Sequence, residues 1–532
     1  MELSRRNFLK GAAVFGGAAA AVSLAGCAPG EKEPLGKTGE TTAADWLGTP
    51  PDYTVDDCSS TVETEVLVVG SALAGCMTAY GAMRNGAQVT VLERNNACHV
   101  GGQLAAFLNS KYQRECGIPE YNKVSICNDV LRDTQMRADM GLWAIWAERS
   151  GEIFDDLREH VLDPYGQFYE AESMENFYPD PSVEITQYNS SGIRLENQSD
   201  KLTRFLENMH KWIPDNGGVI DYNVRAEKLV QDETGRVTGV IASKGNEKVY
   251  YHASKGVVMC TGSFGANEAM MREFYPSDFA EFAINNNAYA SYMDEAPTEI
   301  LDDGLGHRML CWVGAKMEEV CSYQAWQNRG YIMFPYLQVN ANGQRFMNEC
   351  IPGLVATHSV TCQPHFSNYT WQILPSNDFD MPNVFGMTIE NVDMQGGFDT
   401  EHVEANTIEE LAEKIGVDPK NLADTVAHYN ELCTSGSDSE YLKAPRYLDP
   451  IDDPPYQAWK AQYNFFCTTS GVRCSNQLEV LDADFNPIPG LYAAGNTVGY
   501  RFGSCYQNTL HGATNSLAIA HGYVAGEILA RA

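Results

Sequence analysis

Residues 65–75 read Glu65-Val66-Leu67-Val68-Val69-Gly70-Ser71-Ala72-Leu73-Ala74-Gly75. The apolar, Val-rich run predicts a buried strand over 65–69, the next six residues a glycine-led turn, and Cys76 to Arg84 a helix. Gln88-Val89-Thr90-Val91-Leu92-Glu93 then supplies a second strand that ends in an acid 23 residues past Gly70. Strand, turn, helix and strand in this order make a βαβ unit whose turn suits a dinucleotide. The pyrophosphate sits at the helix N-terminus, glycine lets the backbone come close, and Glu93 takes a ribose hydroxyl. Ala72 stands where Gly-x-Gly-x-x-Gly has its middle glycine, and alanine is the smallest replacement available.

Outward from this unit, the 532 residues carry 37 Lys plus Arg against 70 Asp plus Glu, a formal charge of −33, with 44% hydrophobic residues. That length implies two to four domains with a large core, which excludes a disordered or collagen-like chain. The acidity excludes nucleic acid as a partner, because phosphate binding needs clustered Lys and Arg to displace counterions. Cationic partners fit better. Of the 15 cysteines none form a Cys-x-x-Cys pair. Several, such as Cys76 and Cys260, lie in apolar or helical runs where a free thiol acts as a small hydrophobe. Cys350 with Cys362, or Cys467 with Cys474, are the pairs an iron–sulfur cluster would draw on, but their spacing matches no ferredoxin pattern. His307, His358, His365 and His511 lack metal-ligand spacing and read as surface or packing residues, so no metal site is expected.

At the other end, Ser4-Arg5-Arg6-Asn7-Phe8-Leu9-Lys10 precedes an Ala/Gly-rich run from Gly11 to Ala25 that closes in Leu24-Ala25-Gly26-Cys27. This resembles a twin-arginine export signal over residues 1–26 joined to a lipobox, and the run is too short and too weakly apolar for a bilayer span. The resemblance implies an extracytoplasmic, membrane-tethered protein with an acylated Cys27. Residues 27–61, rich in Pro, Gly, Thr and Glu, read as a tether that spans about 30 Å as a flexible coil. Because twin-arginine export moves folded proteins, a tightly bound cofactor is expected.

Three further segments extend the nucleotide reading: His99-Val100-Gly101-Gly102-Gln103-Leu104-Ala105-Ala106, Gly256 through Asn267, and Gly490-Leu491-Tyr492-Ala493-Ala494-Gly495-Asn496 ahead of an Ala-rich helix from about Asn515 to Leu529. With the motifs Asn340-Ala341-Asn342-Gly343-Gln344-Arg345-Phe346-Met347-Asn348-Glu349 and Thr407-Ile408-Glu409-Glu410-Leu411, the latter opening a helical stretch to Tyr429, the chain from about 62 to 532 resembles a flavoprotein family. It contains the catalytic subunits of fumarate reductase and succinate dehydrogenase, urocanate reductase, cardiac-glycoside reductase and 3-ketosteroid dehydrogenase. The resemblance implies an α/β fold: a Rossmann-like FAD-binding domain from residues 62–312 and 466–532, with an α+β cap domain, 313–465, inserted between. It implies FAD held through Gly70, Ala72, Gly75, Glu93, Gly101, Gly102, Gly262, Gly495, Asn496, Asn515, Ser516 and Leu517, although the family commonly has an acid where Asn496 stands. Only one nucleotide fingerprint occurs, so electrons are expected from a separate redox protein such as a cytochrome.

The chain departs from fumarate reductases at the site itself. No arginine occurs from Phe346 through Pro445, so the family's proton-donor arginine is missing from its place. Cys467 stands where a histidine would hold a carboxylate, and Asn508-Thr509-Leu510-His511-Gly512 lacks the late arginine. A small dianion would lose its charge-assisted bonds. Trp326, Tyr331, Phe334, Tyr336, Tyr500, Phe502 and Tyr506 crowd the same segments and suit a bulky apolar or aromatic acceptor. Tyr506 and Tyr331 are phenols able to donate the proton, and Arg329 or Arg501 are able to polarise a carbonyl, with Tyr506 first among them because ketosteroid dehydrogenases use tyrosines beside the flavin. The expectation is a reductase that saturates an activated C=C bond of an enoate, unsaturated lactone or enone. The alternatives are a ketosteroid-type flavin dehydrogenase and an electron-transfer flavoprotein without catalysis.

Overall fold

The computed structural model describes residues 46–97, 105–169, 191–192, 202–285, 302–319, 323–329, 335–350, 359–366, 368–375, 402–503, 506–507, 510 and 512–532. Strand β1 (Ser60–Val69) feeds helix α1 (Leu73–Arg84), which returns to β2 (Val89–Glu93). A short ribbon of β3 (Ala106–Phe107) and β4 (Ser191–Gly192) flanks α2 (Met140–Leu157), and α3 (Thr203–Asp215) leads to β5 (Val219–Tyr222). β6 (Val224–Gln231), β7 (Val237–Lys244) and β8 (Glu247–Met259) follow, then α4 (Leu305–Trp312). β1 pairs parallel with both β2 and β8, and Val66 to Val69 are buried because both faces of the sheet are covered. The first strand is thus longer than the apolar run, since Ser60 to Glu63 continue the ladder on β8 with exposed or half-exposed side chains.

A second sheet contains β9 (Tyr323–Arg329), β10 (Leu337–Val339), β11 (Tyr369–Leu374), β12 (His402–Ala405) and β13 (Tyr456–Thr468), all paired antiparallel. Its own core includes Leu337, Val339, Trp371, Ile373 and Ala458, packed with residues of two helices. These helices correct the sequence reading of one helical stretch from Thr407 to Tyr429: α5 (Ile408–Ile415) and α6 (Pro419–Ser435) are separate. Gly416, at φ +75°, caps α5 in the left-handed region, and Asp418 accepts from Asn421 N to start α6 ahead of Pro419. The helical period continues across the break, which hid it.

After β13 the chain returns to the first sheet through β14 (Glu479–Leu481) and β15 (Pro487–Ala493), the latter parallel to β8, and ends in α7 (Ala513–Arg531). α7 lies on α1 at backbone range. A Cβ added at Gly522 would stand 2.4 Å from the Ala74 carbonyl, so only glycine permits this approach. The final helix therefore touches the first turn of the helix that opens the nucleotide loop. No helix among the described residues is long and apolar enough to cross a membrane.

Candidate functional site

The loop between β1 and α1 is shaped by two glycines. A Cβ at Gly70, whose φ is +100°, would lie 2.3 Å from the Cys260 carbonyl, and one at Gly75 would lie 1.8 Å from the Gly70 carbonyl. The first bond within α1 runs from Cys76 N to the Ala72 carbonyl at 2.9 Å, so the amides of the first turn ahead of it are not used inside the helix. Such amides are what a helix N-terminus offers a phosphate.

Glu93, at the end of β2, is tied to this loop. Its Oε2 accepts from the Ser71 hydroxyl at 2.6 Å and the Ser71 N–H at 3.3 Å, and its Oε1 from Asn95 N–H at 2.9 Å. A carboxylate has about four acceptor positions, so capacity for ribose hydroxyls is left. His210 of α3 braces the same loop: its Nε2 bonds to the Ser71 carbonyl at 3.0 Å and its Nδ1 to the Tyr222 hydroxyl at 2.6 Å. Since a carbonyl only accepts, Nε2 carries the proton and Nδ1 accepts from Tyr222. Burial holds the His210 pKa below its usual value, which keeps this neutral tautomer. Ser71 and His210 were missed in the sequence because Ser71 fills a variable position of the glycine motif and His210 lies far from it in the chain.

Three more segments meet here. Gly262 has φ +80°, and beside it Thr261 N–H donates to Thr497 Oγ1 at 3.0 Å and Ser263 N–H to Asp302 Oδ1 at 3.1 Å. Burial pushes the Asp302 carboxyl upward. A Cβ on Gly495 would lie 2.8 Å from Ala74 Cβ in the first turn of α1. Ser516, in the first turn of α7, accepts from Ala106 N–H at 2.6 Å, and Leu517 beside it is buried. Gly70, Ala72, Gly75, Glu93, Gly262, Gly495, Asn496, Asn515, Ser516 and Leu517 are thus joined, directly or through one neighbour, around two helix N-termini. The glycine cradle, the spare amides and the acceptor capacity of Glu93 fit FAD. Gly101 and Gly102 lie outside the described residues.

Tyr506 lies at the N-terminus of α7. Its phenol oxygen accepts from Thr514 N–H at 3.3 Å and Thr514 Oγ1 at 3.0 Å, and its ring packs on Phe502 at 4.7 Å. Burial raises its pKa, partly opposed by those two bonds. Arg501 is turned into the protein and has no exposed surface, which corrects the expectation that it meets an acceptor's carbonyl. Its Nε donates to the Val498 carbonyl at 2.8 Å, and its Nη2 to Asn496 Oδ1 at 2.8 Å and the Thr469 carbonyl at 3.3 Å. Arg329 closes β9 opposite Gln462, and Tyr331 lies outside the described residues. Of the expected aromatic wall, Phe502 belongs to the main core and packs edge-on against Trp143, Tyr336 is buried, and Tyr500 lies 4.1 Å beneath the Arg473 guanidinium. Cys350, Cys467 and Cys474 are buried, and no metal-holding group of His, Cys, Asp and Glu occurs among the described residues.

Residues 65–517 match the FAD binding domain family, and residues 2–22 match the twin-arginine translocation pathway signal sequence. The chain is 30% identical over 342 residues to the NADH:acrylate oxidoreductase of Vibrio harveyi, a match that covers 62% of this chain and 32% of that longer protein. It is 25% identical over 559 residues to the digoxin reductase of Eggerthella lenta, covering 93% of this chain and 91% of the relative. In fold it is similar to the 3-ketosteroid-delta4-(5alpha)-dehydrogenase of Rhodococcus jostii RHA1, with a TM-score of 0.70 and 23% identity over 90% of this chain and 99% of the other.

Proposed function

We propose, from the premise that this chain belongs to the FAD binding domain family, that it is an exported reductase which saturates an activated C=C bond in a largely apolar or aromatic organic acceptor. The observation that carries the reading is Tyr506. Its oxygen accepts two bonds at a helix N-terminus, an arrangement that polarises the phenol and leaves its own O–H to be donated elsewhere. The names of two relatives, for acrylate and for digoxin, support reduction, and acrylate is a conjugated alkene.

When bound and reduced by two electrons from its donor protein, FAD would supply a hydride to the β-carbon of an alkene conjugated with a carbonyl. The chain's own part is to hold the cofactor through the Gly70–Gly75 loop, Glu93, Gly262, Gly495 and the first turn of α7. Tyr506 then gives its proton to the α-carbon of the acceptor, and Arg329 and Tyr331 are the candidates for holding its carbonyl. The missing carboxylate-binding residues argue against fumarate. A lipid on Cys27 would tether the exported protein to the membrane, and a separate cytochrome-type donor would dock on its acidic surface.

An anaerobic screen of enones, enoates and unsaturated lactones with FAD-loaded protein and reduced viologen tests the reading. Products heavier by two hydrogens are expected. If no acceptor reoxidises the flavin while a dye-linked assay oxidises a saturated substrate, the dehydrogenase direction replaces it, a direction that the likeness to the ketosteroid enzyme favours.

A further inference from the structure

Arg501 is a buried cation whose hydrogen bonds reach no carboxylate. Its guanidinium has no exposed surface, its acceptors are two carbonyls and one amide, and its Nη1 has no hydrogen-bond partner among the described residues. Taking a charge out of water is expensive unless it is paired, so a position that retains one in this state invites a functional explanation.

Four buried groups act on it electrostatically. They are Cys467, Glu318, Tyr506 and Cys474. Burial raises all four: Cys467 to about 12, Glu318 to about 8, and Cys474 and Tyr506 upward. Burial thus favours the neutral form of each. His307 and His521, which also feel Arg501, are held by burial at about 4 and are neutral as well. Burial draws Arg501 itself down to about 10, still charged at neutral pH.

The bond to Asn496 connects this charge to the nucleotide cradle. A guanidinium only donates, so Asn496 must turn its oxygen towards Arg501 and its NH2 away. Asn496 follows Gly495, which abuts the first turn of α1. An acid at 496, as the family commonly has, would cancel the arginine. An amide does not.

We propose that Arg501, acting through Asn496, is a buried positive charge, bonded only to neutral acceptors, that raises the reduction potential of the bound flavin. It is a positioning residue: it orients the Asn496 amide and supplies a fixed field, without touching substrate. Two electrons and one proton convert oxidised flavin to its anionic reduced form, and a nearby positive charge favours that product over the neutral reactant. The inference rests on the flavin of the proposed function and is independent of its acceptor.

The test is a spectroelectrochemical titration of the FAD-loaded full chain, with dithionite as reductant. Asn496→Asp keeps an acceptor for Nη2 but adds a negative charge, and is expected to weaken the reduced form at least tenfold, read as a fall of about 30 mV for a two-electron couple. Arg501→Gln should fall likewise, and Arg501→Lys should retain most of the potential. An FAD-loaded Asn496→Asp protein at the parent potential overturns the proposal, and so do equal potentials for the Gln and Lys variants. If Arg501→Gln does not load flavin, Arg501→Met replaces it in the comparison with Arg501→Lys, because the carboxylate of Asn496→Asp lowers the potential with or without a contribution from Arg501. A yellow protein that reduces no alkene overturns the proposed function but leaves this comparison intact, whereas a colourless one overturns both.

Discussion

Arg345 beside the second, antiparallel sheet and Arg501 beside the nucleotide loop are both buried, yet their surroundings are opposite in kind. Arg345 makes two bonds of 2.9 Å to Glu349 and one of 2.7 Å to Asp438, and Lys443 Nζ lies 3.4 Å from Glu349. Burial alone would raise Asp438, but its bonds to Arg345 and to the amides of Tyr441, Lys443 and Glu440 outweigh that and hold it at about 2. Arg501 is bonded to two carbonyls and an amide, and burial raises the carboxyl of Glu318, which acts on it electrostatically, to about 8. A buried charge matched by ionised partners reads as architecture, and one left unmatched reads as a source of field for something else. Arg345 and Glu349 stand four residues apart in the chain, whereas nothing local foretells the environment of Arg501.

The largest effect that would break this contrast concerns Glu318. Its folded pKa, about 8 against an ordinary 4.5, means that the folded chain keeps a proton which the unfolded chain releases, so stability declines as pH rises from 4.5 to 8. The full penalty is on the order of 5 kcal/mol. Glu318→Gln has no proton to lose, so its advantage should grow across that window and be absent below it, as followed by denaturant midpoints at pH 4.5 and pH 8. A constant difference between the two proteins would mean that Glu318 is ionised and that Arg501 is compensated after all. Asp438 carries the opposite sign: its contribution is present above 3.8 and vanishes as pH falls through about 2.

Next in size, Arg345→Ala should cost about 3–5 kcal/mol by stranding Glu349 and Asp438, while the flavin spectrum stays unchanged. Loss of the flavin band at full folding would show that Arg345 serves the cofactor and erase the distinction between the two sites. Tyr506→Phe should lower kcat at least about 100-fold, roughly 3 kcal/mol, with the potential little changed. This separates a proton donor from a charge, and unaltered turnover would remove Tyr506 from the mechanism. The smallest effect belongs to exposed charge. Reduction of the flavin by a basic cytochrome should slow as added salt shortens the Debye length from about 30 Å to about 3 Å, and a flat response would count against docking on the acidic surface.

The amino-acid order alone determined the βαβ unit, the family and the cofactor, because each depends on residues close in the chain: a β-branched run, a glycine turn and an acid at the end of the next strand. It left the break at Gly416 unread, since a capped turn can interrupt a helix without disturbing its apolar period. Only the tertiary structure decided that Ser71 and His210 steady the nucleotide loop, and that Arg501 turns inward to Asn496 and Thr469. These are matters of burial and of bonds between segments brought together from distant parts of the chain. Whether a charge is neutralised depends on what the fold sets beside it, and no local pattern records that.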